Sequence, residues 1–171
     1  MHLDTRPLRV DRDGIYVGPT ALSKGSTICD FCSLKDNGCN LTPRIESCGQ
    51  FVPALSFVPP LVGLEGSFST YRASAIWFAR AQHVMKTHRK VGLVNSVTRQ
   101  LIGIGEITET HKGTFSDLMR DHAHTNHLTK DLGLTQDQAD TWLRRWIRNH
   151  LGSMYEKNPV ATGTVIYVDR Q

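Results

Sequence analysis

Four cysteines near the start of the chain constrain its fold more than any other feature. They lie at Cys29, Cys32, Cys39 and Cys48, in the pattern Cys-x2-Cys-x6-Cys-x8-Cys. A Cys-x2-Cys pair suits a single metal ion because its turn points both sulfurs at the ion. Because all four thiols fall within one short segment, closing such a site costs little loop entropy. The pattern predicts a small metal-bound module in front of a separate compact domain.

The spacing does not fix the metal. Tetrahedral zinc with four thiolates is favoured, and a four-iron, four-sulfur cluster is the alternative, because it also takes four cysteines and tolerates uneven spacing. Four reduced cysteines without a metal are the third interpretation. Since four cysteine ligands leave no open coordination position, we expect a structural site rather than a catalytic one. Such a module could also serve as an adaptor that docks a protein partner.

Composition and charge restrict the cellular compartment in which the protein could act and the partners that it could bind. No stretch of the 171 residues approaches the run of roughly 20 apolar residues that a membrane helix needs. The first residues lack the apolar run of a secretory signal. We therefore expect a cytoplasmic protein without membrane association, in which clustered cysteines bind metal rather than form disulfides. The net charge of +4 permits a polyanionic partner without requiring one.

Hydrophobic periodicity and turn residues predict two domains, with residues 1–60 carrying the cysteine module and residues 61–171 forming an α+β domain. The prolines of residues 51–60 favour an extended linker or an edge strand. The predicted elements of the second domain are a helix at 74–86, a hairpin of strands 91–97 and 101–108, a short helix capped by Thr114, a helix opened by a capping box at Thr135 and ended by Gly152, and a strand at 163–169. The sheet is expected to be small and mostly antiparallel.

Four segments of the second domain resemble the ASCH domain family of the PUA-like superfamily. They are Ser67–Arg72 (SFSTYR), Gly103–Glu109 (GIGEITE), Gly113–Leu118 (GTFSDL) and His122–His127 (HAHTNH). The resemblance covers about residues 63–169 and leaves the cysteines outside. It implies a partly open β-barrel flanked by helices, with a cleft for a nucleobase or RNA.

The resemblance also implies which chemistry to expect. Some family members deacylate an N4-acylated cytidine with a lysine, a threonine and a glutamate, and others are thought to cut or bind RNA. The threonine corresponds to Thr70, whereas Ser67 stands at the lysine position and Asn126 at the glutamate position. Because two of the three catalytic positions are replaced, binding of RNA or a modified nucleobase is favoured over amidohydrolase or ribonuclease activity.

Several side chains of the predicted cleft have chemistry that suits a nucleic acid. Arg72 could pair with a phosphate or a base edge, and Tyr71 could stack on a base. Glu106 and Asn126 could read the donor and acceptor groups of a nucleobase. For the enzymatic alternative, Thr70 is the candidate nucleophile, and Glu106 or one of the histidines is the candidate base. Further nucleic-acid contacts are assigned to Arg80, Lys90 and His127.

The histidines at 111, 122, 124 and 127 lie close to Asp121 along the chain. Their spacing is not a standard metal pattern, so His122 is most simply a capping or cleft residue. The chain contains no phosphate loop, dinucleotide fingerprint or hydrolase elbow. Its small size would suit an accessory protein of a phage or another mobile element.

Overall fold

The structure is a computed structural model that describes residues 32–34, 37–39, 52–87, 90–153, 157–158 and 161–171. The chain divides into two compact units that alternate along the sequence. The first unit comprises Met1–Leu61 and Gln82–Glu106, and the second comprises Val62–Ala81 and Ile107–Gln171. The candidate cleft residues, except Lys90 and Glu106, belong to the second unit.

Five strands form one mixed sheet. They are β1 (Ala54–Phe57), β2 (Gly66–Arg72), β3 (Lys90–Asn95), β4 (Leu101–Thr114) and β5 (Thr162–Arg170), in the order β1-β3-β4-β5-β2. β1 runs parallel to β3, whereas the β3/β4 and β2/β5 pairs are antiparallel. The α+β class is therefore confirmed, as is the edge position of the proline-flanked strand β1. β4 extends six residues beyond its predicted end at Thr108, because its second half pairs with β5 in the sheet.

The described part of the chain contains three α-helices, two of which begin after the predicted capping residues. They are α1 (Ile76–Thr87), α2 (Phe115–His122) and α3 (Gln136–Leu151), and a 3-10 turn at Ala123–Thr125 follows α2. The Thr114 hydroxyl accepts a hydrogen bond from the Asp117 amide, and Thr135 and Gln138 form the reciprocal capping box. α3 ends at Gly152, whose φ of 84° favours glycine. None of the helices in the described part of the chain is long and apolar enough to cross a membrane.

In the first unit, the described part of the cysteine segment is pinned to the β3/β4 hairpin. The side-chain amide of Asn37 donates to the carbonyl oxygens of Ser33 and Arg99, and its oxygen accepts from the Leu101 amide at 2.9 Å. A Cβ at Gly92 would collide with the Ser33 side chain, so the segment lies directly on β3. Three hydrogen bonds of the Asn37 side chain therefore join this segment to the hairpin, in addition to the buried Cys32.

The core of the second unit lies between α2, α3 and the β2/β5 ladder. Its buried members are Phe115, Leu118, Met119, Ala123, Leu128, Ala139, Leu143, Ile147 and Val165. Burying nine apolar side chains in one cluster accounts for the regular apolar spacing of α3. This cluster packs α2, whose last residue is His122, against β5, which carries Tyr167.

The β2/β5 register sorts the side chains onto two faces. Ser69 lies opposite Tyr167, and Thr70 lies opposite Ile166. Since successive strand residues point to opposite faces, Ser69 and Tyr71 share one face with Tyr167, whereas Thr70 and Arg72 point to the other. We call these the α2 face and the α1 face, because Tyr71 contacts Phe115 of α2 and Arg72 contacts Trp77 of α1.

Candidate functional site

A basic and aromatic cluster occupies the α1 face of the second unit. The guanidinium carbons of Arg72 and Arg80 lie over the Trp77 ring, 5.1 and 5.3 Å from its centroid. Elsewhere on α1, the ammonium nitrogen of Lys112 lies 5.5 Å from the centroid of the Phe78 ring. Arg80 is only 5% exposed and Arg72 is half-buried. Cation–π contacts of this kind hold planar guanidinium groups in fixed orientations.

His127 lies beside this cluster and is buried, with 8% of its surface exposed. Its Nδ1 donates to the Val62 carbonyl at 3.0 Å, and its backbone amide donates to the Ser69 carbonyl at the edge of β2. Burial lowers the pKa of His127 to about 4, and the charge of Arg72 adds to the effect. A Cβ at Gly63 would collide with the His127 carbonyl, so the chain is closely packed here. His127 therefore acts as a neutral structural anchor at neutral pH.

The other cleft residues of the second unit are divided between the two faces. Thr70 is 3% exposed on the α1 face. Tyr71 lies on the α2 face, where its ring meets Phe115 edge-on at 5.5 Å. Asn126 is 4% exposed, and its side-chain oxygen accepts from the Leu128 amide at 3.0 Å. Of the residues predicted to share one cleft, the structure brings Arg72 and Arg80 together and directs Tyr71 to the opposite face.

The remaining predicted residues lie in the first unit. Lys90 and Glu106 are exposed and face each other across the β3/β4 ladder. Cys32 is buried in a bridge with Pro53, and Cys39 is exposed. Cys29 and Cys48 fall outside the described residues, so the metal module stays a prediction. Within the described ranges, no group of three or more histidine, cysteine, aspartate or glutamate side chains is placed to hold a metal.

The α2 face carries a polar cluster that the sequence did not predict as a unit. The rings of His111 on β4 and His122 at the end of α2 lie 4.4 Å apart, with an interplanar angle of 34°. His111 Nε2 contacts a Glu109 carboxylate oxygen at 2.8 Å, and His122 Nδ1 contacts the Tyr167 hydroxyl at 2.8 Å. We call these four residues the histidine cluster. It is accessible to solvent: the side chain of His111 is 36% exposed and that of Glu109 is 61% exposed.

The hydroxyl groups of the histidine cluster form a chain of hydrogen bonds. The Thr125 hydroxyl donates to the His122 carbonyl at 2.9 Å and also contacts the Tyr167 hydroxyl at 3.1 Å. One set of directions consistent with these contacts has Tyr167 donating to Thr125 and His122 Nδ1 donating to Tyr167. In that set, neutral His122 carries its proton on Nδ1.

Burial shifts the pKa values of two members of the histidine cluster, His122 and Tyr167. The pKa of His122 is lowered, first by burial and second by the charge of His111. The pKa of Tyr167 is raised, mainly by burial, so its hydroxyl keeps its proton. The titratable groups that face His122 are Glu109 and His111 on β4, Tyr167 on β5, and Asp121 and His124 on its own segment. His122 is thereby a neutral acceptor in the range where an ordinary histidine begins to protonate.

Comparisons of the chain with protein-family models, with curated proteins and with solved structures found no match. Function is therefore inferred from the side chains and their geometry. One sequence signal could have separated the two faces in advance: Tyr71 and Arg72 are adjacent in a strand and so cannot line the same cleft wall. No local signal joins His111, His122 and Tyr167, because only the sheet pairing and the α2 packing bring them together.

Proposed function

We propose that this is a cytoplasmic protein that binds RNA or a modified nucleobase through an ASCH-like domain at about residues 63–169. The proposal includes the fold that the resemblance implies, a partly open β-barrel of which the five-stranded sheet would form the wall. The binding surface is the basic and aromatic cluster of the α1 face, with Arg72 as its central contact.

The half-buried Arg72 guanidinium, which lies over the Trp77 ring, carries the proposal. Arg80 packs against the same ring and, like Trp77, is 5% exposed, so its part is to support Arg72 rather than to contact the ligand. A guanidinium group presents five donors in a rigid plane, and stacking on an aromatic ring fixes that plane before a ligand arrives. Less side-chain entropy is then lost when a phosphate or a base edge accepts hydrogen bonds from it. Lys112 adds a further positive charge on the same face, above Phe78. Basic side chains interleaved with aromatic rings are typical of surfaces that bind nucleic acids.

Burial favours binding over amidohydrolase chemistry at these positions. As a nucleophile, Thr70 would have to reach substrate, but it is 3% exposed. Ser67 and Asn126 stand where the hydrolase members of the family have a lysine and a glutamate. The Ser67 hydroxyl donates to Asp169, and the Asn126 side-chain oxygen caps a turn through the Leu128 amide. Both side chains thus have structural hydrogen bonds in place of the expected catalytic groups.

Fluorescence anisotropy with a short labelled RNA, measured between about 50 and 200 mM salt, tests the proposal. Arg72→Ala should weaken binding about tenfold and lower the slope of log affinity against log salt by about one. Arg72→Lys keeps the charge but loses the planar stacking on Trp77, so its affinity should be intermediate. Arg145→Ala removes an exposed arginine on α3 and is the matched control, for which we expect wild-type affinity.

Two results would contradict this function. The first is that the wild-type protein shows no detectable binding of RNA or of modified nucleosides. The second is RNA binding that is equally strong in the wild type and in Arg72→Ala and that does not change with salt. Binding through phosphate contacts releases counterions, so its affinity has to fall as the salt concentration rises.

The proposed function also includes a structural metal site in the cysteine module. Zinc is the favoured metal, and a four-iron, four-sulfur cluster is the alternative. Docking to a protein partner through this module is a secondary proposal. Elemental analysis of the purified protein should give about one zinc per chain, and a chelator should release it with loss of folding in the N-terminal segment. A brown protein with absorption near 400 nm would identify the cluster instead. Protein that contains neither metal after aerobic and anaerobic purification would contradict the site.

A further inference from the structure

The end of α2 is tied to three strands of the sheet by one set of contacts. The His111 and His122 rings pack against each other with centroids 4.4 Å apart, which joins α2 to β4. His122 Nδ1 and the Tyr167 hydroxyl are 2.8 Å apart, which joins α2 to β5. From Tyr167 the hydrogen bonds continue to the Thr125 hydroxyl at 3.1 Å, and from there to the Ser69 hydroxyl of β2 at 2.9 Å. We call the contacts among these five residues the latch.

The latch holds the 3-10 turn at Ala123–Thr125 in place. The Thr125 hydroxyl donates to the His122 carbonyl at 2.9 Å, which closes the turn on itself. Directly after the turn, the His127 amide donates to the carbonyl of Ser69, a residue that is only 1% exposed. Opening of the latch would therefore also loosen the segment that covers the edge of β2.

A positive charge on the His122 ring works against the closed latch. The ring is half-buried, and burial disfavours an imidazolium relative to a neutral imidazole. The titratable groups that face the ring are Glu109 and His111 on β4, Tyr167 on β5, and Asp121 and His124 on its own segment. The two carboxylates favour a proton on His122 and the two other histidines disfavour it, but burial is the largest influence and the pKa of His122 is lowered.

We propose that the latch is a pH-sensitive switch, closed while the His122 ring is neutral and opened by a proton on that ring, so that the turn is released in acid. This inference goes beyond the proposed function, because it does not depend on what the α1 face binds. An open form with an ordinary histidine binds the proton more readily than the closed form does. Closure is therefore most stable above about pH 6.5 and weakens as the pH falls below it.

Amide hydrogen exchange followed by NMR on the full chain tests the switch between about pH 5 and about pH 7.5. The reporters are the hydrogen-bonded backbone amides of Asn126 and His127. After correction for the intrinsic pH dependence of exchange, their protection should fall by up to about tenfold per pH unit below pH 6.5, the limit for one proton. The Arg99 amide, which donates to the Asn95 carbonyl in the β3/β4 hairpin, should keep its protection.

Substitutions separate His122 from the other titratable groups. His122→Asn keeps a side-chain amide that can bond to Tyr167 but does not titrate in this range, so most of the fall in protection should disappear. His111→Phe keeps a ring against His122 but removes its charge, so the fall should become smaller. His150→Gln removes an exposed histidine on α3 and should respond to pH as the wild type does. The effect of His122→Asn should persist on a His127→Asn background, which excludes a response of the buried His127 ring.

An NMR titration of the His122 ring in the wild type gives a direct readout that needs no variant, and its midpoint should lie below 6.5. A midpoint at or above 6.5 would overturn the switch, as would protection of the turn that does not change with pH. An equal fall in the wild type and in His122→Asn would show that another group responds. Parallel loss of protection at Arg99 would show unfolding of the whole chain instead of release of the turn. None of these results affects RNA binding through Arg72, which the anisotropy experiment measures separately.

Discussion

His122 and His127 are five residues apart in the chain, yet they serve two regions of opposite character. His127 lies against the α1 face, 8% exposed, beside Arg72 and Phe68. His122 lies on the α2 face, half-buried, in contact with His111 and Tyr167. Burial lowers the pKa of both. The 3-10 turn at Ala123–Thr125 reverses the chain between them and places one histidine on each side of β2.

The difference shows that a depressed histidine pKa has two meanings. At His127 the ring is enclosed, one nitrogen is bound to the Val62 carbonyl, and proton exchange with a ligand would first require the packing to open. At His122 the burial is partial, and the ring contacts His111 and the Tyr167 hydroxyl. The first histidine is enclosed by the fold, whereas the second belongs to a cluster that solvent reaches at His111 and Glu109. The lowered pKa by itself does not distinguish the two.

The largest expected effect concerns the enclosed histidine. Because the folded pKa of His127 is about 4, against 6.5 in an ordinary histidine, the unfolded chain binds a proton at a higher pH than the native state does. Its contribution to stability is therefore complete above about pH 6.5 and is lost as the pH falls towards 4. A shift of this size corresponds to about 3 kcal/mol in the free energy of unfolding.

His127→Asn tests this, since asparagine can still donate to the Val62 carbonyl but does not titrate in this range. Urea unfolding from pH 4 to 7 should show a dependence on pH that is weaker in the variant than in wild type by about 3 kcal/mol. An NMR titration of the His127 ring gives an independent value. A midpoint at 6 or above would remove the distinction between the two histidines.

Much of the fold on both sides of this comparison followed from local patterns. The capping box at Thr135 located the start of α3, and Thr114 located the start of α2. The prolines around β1 placed it at an edge of the sheet, but no local pattern showed that it would run parallel to β3. The end of β4 from Glu109 to Thr114 is mostly polar and lacks apolar alternation, so its strand conformation comes from pairing within the sheet rather than from a local pattern.

The candidate site was less predictable than the fold, for a physical reason. The sequence alone suggested Arg72 and Arg80 as candidate nucleic-acid contacts, because an arginine is positively charged wherever it lies in the fold. His111, His122 and Tyr167 acquire theirs only together, and their separations of up to 56 residues along the chain are bridged by tertiary packing. The sequence could suggest each histidine as a candidate but could not show which one would be enclosed and which would be reachable.

The smallest expected effect concerns the accessible histidine and tests the proton directions assigned to it. Tyr167→Phe removes the oxygen that accepts from His122 Nδ1 and the donor to Thr125, which should cost about 1 kcal/mol of stability. Nitrogen NMR of the imidazole should show the tautomer with Nδ1 protonated in wild type and a mixture of tautomers in the variant. Tyr71→Phe alters a tyrosine on the same face that packs on Phe115, and it should leave the His122 tautomer unchanged. A wild-type His122 that carries its proton on Nε2 would reverse the assigned chain of donors.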